Sequence, residues 1–308
     1  MKIAVQTGDV VDHLGFQRGY SLFKQAGFEA VDWNLDHAVK DSDLRSGAFR
    51  GKSILEKPLS TVVSHYEEEV KIMTDNGLAI TQAHAPFPSY IRAFPDTLDY
   101  SIEILKRNIE LCGYYNCKRL VIHGIPFPLD VDIDDADSIF SLNVRLYTSL
   151  IETADKAGVT VCLENLFTSH NGVCYPGNCG DIDEAVDFID YLNNVAGKNI
   201  FGFCLDTGHA NLLHNDFAVI IPKLGDRLAC LHIHDNNGSR DQHLAPGTGT
   251  VDWNRFCASI RKINYSGDLS FETFNQTLKA EYIDEELILP WLRVVCETGK
   301  VFRNKISG

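Results

Sequence analysis

Six ionisable residues each stand at or near the end of an apolar run: His84 in LAITQAH, His123 in RLVIHG, Glu164 in TVCLEN, Asp206 in IFGFCLD, His232 in LACLHIH and Glu272 in DLSFET. A single His or Glu in such a place is ordinarily a solvated loop residue. Six from successive runs are harder to dismiss, because gathering carboxylates and imidazoles costs desolvation and repulsion unless a cation offsets them. The chemistry implied is a metal centre. Glu164, Asp206, His232 and Glu272 form a three-carboxylate, one-imidazole set suited to one divalent ion with open positions, manganese ahead of magnesium, cobalt or zinc. HIHD also carries His234, and the expectation is that only one of the two histidines faces the common centre. His232 is assigned that role and His234 an outer one, with the reverse assignment held open.

The elements that must position these residues follow from the apolar runs. Eight candidate strands are read at 2–7, 30–34, 78–84, 119–124, 160–165, 200–206, 228–234 and 268–273, and most are continuously apolar, as strands covered on both faces should be. Helical patterns alternate with them: YSLFKQAG ending at Gly27, 61–76 closing at Gly77, 97–115, 138–157, 183–196, 216–224, 253–263 and 280–301. Eight alternations predict an α/β fold, a (β/α)8 TIM barrel, in which the C-terminal strand ends converge on one mouth. No low-complexity linker interrupts the chain, so residues 1–308 read as a single TIM barrel domain. Long loops are expected around 35–60, 167–180 and 236–252.

The chain has 308 residues, 44% of them hydrophobic, and a formal net charge of −14. That is the composition of a soluble globular protein. The acidic balance gives no general pull toward phosphate backbones, so a small-molecule sugar or sugar phosphate is favoured as partner over nucleic acid. No secretory leader and no apolar stretch of about 18 residues is read, so a membrane partner is not expected. Cys162, Cys204 and Cys230 sit inside apolar runs, and Cys174 and Cys179 read as loop thiols, for which pairing or metal binding is a weak alternative. This pattern suggests a reducing cytoplasmic location. A homo-oligomer is compatible with all of this.

Taken in order, H-A-P (84–86), L-E-N (163–165), L-D-T-G-H (205–209), H-I-H-D (232–235), P-G-T-G-x-x-D-W (246–253) and F-E-T (271–273) resemble the xylose isomerase-like barrel superfamily over nearly the whole chain. That superfamily holds sugar isomerases and epimerases together with endonuclease IV-type repair enzymes. The resemblance to ketose 3-epimerases implies that Glu164, Asp206, His232 and Glu272 hold manganese, and the 26-residue step from Asp206 to His232 agrees with it. Two positions depart from those epimerases: His170 stands where they carry an acidic residue, and Gly238 where they carry an arginine, for which Arg240 is a substitute.

The implied activity is a metal-dependent sugar isomerase or epimerase. Proton transfer beside a carbonyl passes through an enediolate that the divalent ion stabilises, with Glu164 and Glu272 as acid and base. His84, His123, His209, His243, Arg240 and Trp253 are the expected substrate-binding residues, the last three from a loop able to close on the sugar. A dehydratase acting on an inosose-like ring remains open. The rival reading is an endonuclease IV-like multi-zinc phosphodiesterase acting on abasic DNA. All nine of that family's ligands have counterparts here: His84, His123, Glu164, Asp206, His209, His232, Asp241, His243 and Glu272. Asp241 and His243 would then hold additional metal. Against it, H-I-H-D replaces the nucleases' H-L-N-D, and P-G-T-G-x-x-D-W looks like the sugar enzymes. A non-catalytic metal- or sugar-binding barrel is the third class.

Overall fold

The computed structural model describes residues 1–126, 133–273 and 285–308, the side chains of 133–137 excepted. In chain order its strands are β1 (Ile3–Gln6), β2 (Ala30–Asn34), β3 (Ala79–His84), β4 (Arg119–Val121), β5 (Thr160–Glu164), β6 (Phe167–His170), β7 (Val173–Pro176), β8 (Phe201–Asp206), β9 (Leu228–His232) and β10 (Leu269–Phe271). Eight of them form one parallel sheet in the order β10-β1-β2-β3-β4-β5-β8-β9. Ile233, just past β9, closes the circle: its N–H donates to Ser270 O at 2.8 Å and its carbonyl accepts from Glu272 N at 3.0 Å. All eight expected runs become barrel strands, and the chain folds as a (β/α)8 TIM barrel. β6 and β7 pair only with each other, as a hairpin after β5.

Helices wrap the outside: α1 (Gly8–Ala26), α2 (Asp41–Ser46), α3 (Leu59–Asp75), α4 (Thr97–Tyr114), α5 (Ile133–Thr148), α6 (Ile151–Ala157), α7 (Ile182–Ala196), α8 (Thr207–Leu212), α9 (Phe217–Leu224), α10 (Trp253–Lys262) and α11 (Ile288–Ser307). Local chemistry sets their ends. Asp181 caps α7 by accepting from the N–H groups of Asp183 and Glu184, and Gly197 in left-handed geometry stops it. Several expectations need adjustment. The first helix starts at Gly8 and not near Tyr20, and the 138–157 pattern is two helices broken at Ser149–Leu150. The last pattern runs to Ser307 after a single turn at Glu285–Leu287, its residues 280–284 lying outside the described ones. The 35–60 loop contains α2 and two short turns, 167–180 contains the β6–β7 hairpin, and 236–252 is irregular.

The barrel interior is layered because residues two apart on a strand share a face. One layer holds Val121, Cys162, Cys204 and Cys230, all buried. Two residues further along, β5, β8 and β9 present Glu164, Asp206 and His232. The small thiols therefore fill the space beneath the polar layer, and all nine cysteines are free. No helix among the described residues is long and apolar enough to cross a membrane.

Candidate metal centre and substrate cavity

Glu164, at the end of β5, is the vertex of the polar layer. Its Oε2 lies 2.9 Å from His123 Nε2, and its Oε1 lies 3.2 Å from His232 Nδ1 and 3.5 Å from His209 Nδ1. Glu272, just past β10, brings Oε1 to 3.5 Å from the same His232 Nδ1. His232 is 0% exposed, and neither of its ring nitrogens makes a well-aligned hydrogen bond. The expected quartet is thus only partly assembled: Glu164, His232 and Glu272 meet, whereas Asp206 turns aside. As N-cap of α8, Asp206 accepts through Oδ1 from His209 N at 2.6 Å, and its Oδ2 lies 2.9 Å from His234 Nε2.

The expectation that only one histidine of HIHD faces the centre fails. Being two apart, His232 and His234 share a face, and both are fully buried against carboxylates. Gly208 makes room for the second ring, since a Cβ there would stand 1.9 Å from His234 Cε1.

Three further histidines are oriented by backbone carbonyls. Nδ1–H of His84 donates to Ala85 O at 2.9 Å, that of His209 to Asn165 O at 2.9 Å, and that of His243 to Glu272 O at 3.0 Å. Each Nε2 is thereby aimed inward. Nε2 of His84 lies 3.0 Å from His123 Nε2, while those of His209 and His243 lie 3.5 and 3.1 Å from Asp241 Oδ2. His243 also stacks on His234, with centroids 3.9 Å apart.

The electrostatics separate the two glutamates. Burial alone would raise the Glu164 carboxyl, but His232 and His123 outweigh it and hold the group well below the usual range. Burial, only partly offset by His232, pushes Glu272 up to about 7. Burial opposes charge on His232 as well, yet Glu272, Glu164 and Asp32 raise it well above an ordinary imidazole. His209 is pushed up to about 10, the Asp206 and Asp241 carboxylates overcoming burial.

A cavity of about 380 Å³ opens over this layer. Glu164, Glu272, His84, His123, His209, His243 and Asp241 reach it from the loop ends, and Gln6, Asp9, Asn34 and Asp36 line it beyond β1 and β2. Phe87 and Phe167 add apolar surface. Among the described residues no Lys or Arg lines it. Two expected sugar contacts are absent from the lining. Trp253 begins α10, donates Nε1–H to Asp235 Oδ2 at 3.0 Å and stacks on Phe302, so it fastens the 236–252 loop. Arg240 is exposed on that loop. Conversely, Asp9, Asp36 and the buried Asp32 were missed. Asp32 lies mid-strand in AVDWN, and a carboxylate inside an apolar run is itself the signal that could have found it.

The donor set fits a divalent cation. Carboxylates from β2, β5 and the end of β10 crowd an imidazole whose nitrogens lack aligned partners, and no described ammonium or guanidinium lines the cavity above them. The described residues also supply several three-residue sets with ligand atoms within 4.8 Å of one another, including His84–His123–Glu164, Asp206–His209–His234 and Asp32–His232–Glu272.

A family model described as xylose isomerase-like TIM barrel matches residues 21–293. The chain belongs to this family. It is 32% identical over 149 residues to D-psicose 3-epimerase of Enterocloster bolteae, covering 48% of this chain and 45% of that enzyme. Probable endonuclease 4 of Mycoplasma pneumoniae is 24% identical over 174 residues, covering 52% of this chain and 56% of that protein. Among solved structures, D-psicose 3-epimerase crystallised with D-fructose superimposes with a TM-score of 0.68 over all of both chains, at 18% identity, a likeness of fold. Both arms of the sequence resemblance therefore recur within the family, with sugar epimerases among the relatives.

Proposed function

We propose that this protein is a divalent-metal-dependent isomerase or epimerase of an unphosphorylated sugar. The observation that carries the reading is the cavity itself. Its volume of about 380 Å³ suits a small ligand, and two glutamates with opposed proton affinities stand in its wall beside His232. Five lining carboxylates without a described Lys or Arg disfavour a phosphorylated ligand and favour a neutral polyol. The partial match to a D-psicose 3-epimerase supports the same class.

In this mechanism Glu164, Asp206, His232 and Glu272 would hold the ion, which when bound polarises the substrate carbonyl and the neighbouring hydroxyl. Glu164 and Glu272 stand across the layer from β5 and β10 and exchange the proton on the carbon beside the carbonyl. A pair whose environments push their proton affinities apart suits this task, one ionised and the other poised near neutrality. His209, held by Asn165 O, and His123, beside Glu164, present ring nitrogens to the substrate's oxygens. The enediolate forms as the proton leaves, and its return to either face fixes the product. Incubating the metal-loaded protein with free ketoses in heavy water and following epimer formation and label by NMR tests the reading. Absence of turnover across ketoses and inososes would remove it.

A multi-metal phosphodiesterase is kept as a second reading because one observation favours it. Three histidines oriented by backbone carbonyls turn Nε2 toward Glu164 or Asp241, and carboxylate–imidazole pairs of this kind are donor sets that additional zinc ions could use.

A further inference from the structure

We propose that Asp32 is the positioning residue for His232, fixing the ring so that Nδ1 is the atom offered to the cation. The inference rests on the metal-centre reading above and adds a residue to it.

Asp32 lies on β2, on the opposite side of the barrel from β8, and is 0% exposed. A carboxylate buried so completely is costly without strong partners. Its Oδ2 accepts from Gln82 Nε2 at 2.6 Å and Ser270 Oγ at 3.3 Å, and it lies 3.2 Å from His232 Nε2. Gln82 and Ser270 supply two neutral hydrogen bonds, and the His232 ring is the third group this oxygen faces. Gln82 Nε2 also reaches Leu231 O at 3.3 Å, which ties the carboxylate to the backbone immediately before His232.

The two edges of the His232 ring face different groups. Nε2 faces Asp32, deep in the barrel, while Nδ1 faces Glu164 Oε1 and Glu272 Oε1 at the cavity floor. A neutral imidazole has one N–H and one lone pair. With Asp32 as acceptor the N–H belongs at Nε2, and the lone pair at Nδ1 is turned to the two glutamates. A carboxylate on the far nitrogen is the usual means of orienting a metal-binding histidine and raising its basicity. Asp32 does not line the cavity, so this role is separate from substrate contact.

The test uses the metal-free protein and cobalt(II), whose visible absorption reports both occupancy and ligand set. Asp32→Asn should weaken cobalt binding roughly 10-fold to 100-fold, the usual scale for losing such a partner, with unchanged band positions at saturation. Affinity within twofold of wild type overturns the proposal. Shifted bands at saturation also overturn it, by making Asp32 a ligand in its own right. Should Asp32→Asn fail to fold, 15N-histidine NMR of the zinc-loaded wild-type protein decides: a protonated Nε2 with coordinated Nδ1 is expected, and a protonated Nδ1 overturns it. A wild-type protein that binds no cobalt removes the metal-centre reading and this one together. Cobalt binding with an indifferent Asp32→Asn removes this one alone.

Discussion

Asp206 and His234 meet at 2.9 Å, Oδ2 to Nε2, and both are wholly buried. With Oδ1 already accepting the N–H of His209, both oxygens of Asp206 are engaged. His234 therefore holds Asp206 in place, whereas His232 lies between Glu164 and Glu272. The two histidines of HIHD should respond differently to removal. His232→Ala is expected to abolish stoichiometric manganese binding, and His234→Ala to keep one equivalent at about tenfold weaker affinity, as for loss of an orienting partner. Manganese titration followed by electron paramagnetic resonance reads both. The reverse pattern would make His234 the ligand.

Proton transfer gives a sharper test. Glu164→Gln and Glu272→Gln each keep an oxygen toward the cation while removing the base, so turnover should fall by roughly 100-fold to 10,000-fold. Wild-type turnover in heavy water should place deuterium on the carbon beside the carbonyl, and each variant should slow that exchange in step with product formation. Turnover without label at carbon would point to a hydride shift and sink the acid–base assignment.

The barrel was legible in the sequence because its strands are covered on both faces and read as unbroken apolar runs. Glu164, Glu272 and His232 stood out for the same reason, as polar punctuation at the ends of those runs. Arrangement within the site was not legible. The choice between His232 and His234 depended on a side-chain direction that strand geometry gives to both. The turning of Asp206 toward α8 depended on a cap that forms only once Thr207 begins a helix. Trp253 reads as a substrate-binding residue because it belongs to a loop able to close on the sugar, yet its indole N–H is taken by Asp235, whose carboxylate also accepts from Gly247 and Val251. Asp9 and Asp36 escaped notice because they follow the first two strands without any distinguishing motif.

Asp9 carries a pH prediction. Burial, reinforced by Asp12, raises its carboxyl to about 6 from an ordinary value of 3.8. The folded state therefore binds this proton more tightly than the unfolded chain does. Its contribution to stability is present below pH 3.8 and is lost as pH rises through 6. Asp9→Asn removes the charged form, so the variant should be more stable than wild type at pH 7, by on the order of 3 kcal/mol at about 1.4 kcal/mol per unit. The difference should shrink as pH falls from 6 to 4. Thermal unfolding of both proteins across that window measures it, and a pH-independent difference would contradict the shift.

The sugar and nuclease readings divide on how many cations the site holds. A single-metal sugar enzyme uses Asp241, His209 and His243 to contact substrate, whereas a phosphodiesterase of this family would use them as ligands. The cavity leans toward the first, because a phosphodiester entering it would meet Asp9, Asp36 and Asp241 without a described Lys or Arg to receive it. The backbone-oriented imidazoles lean toward the second, since their Nε2 atoms face Glu164 and Asp241, carboxylates that a further cation could share with them. Charge decides between them until extra cations bind, and with a net charge of −14 the chain offers duplex DNA no compensating field. Purified protein should therefore hold about one tightly bound metal per chain, consistent with one Lewis-acid site, and leave abasic duplex DNA intact. His243→Ala should weaken sugar turnover while the principal metal stays bound. Three stoichiometric zinc ions together with incision at abasic sites would reverse this order and assign Asp241, His209 and His243 to the metals.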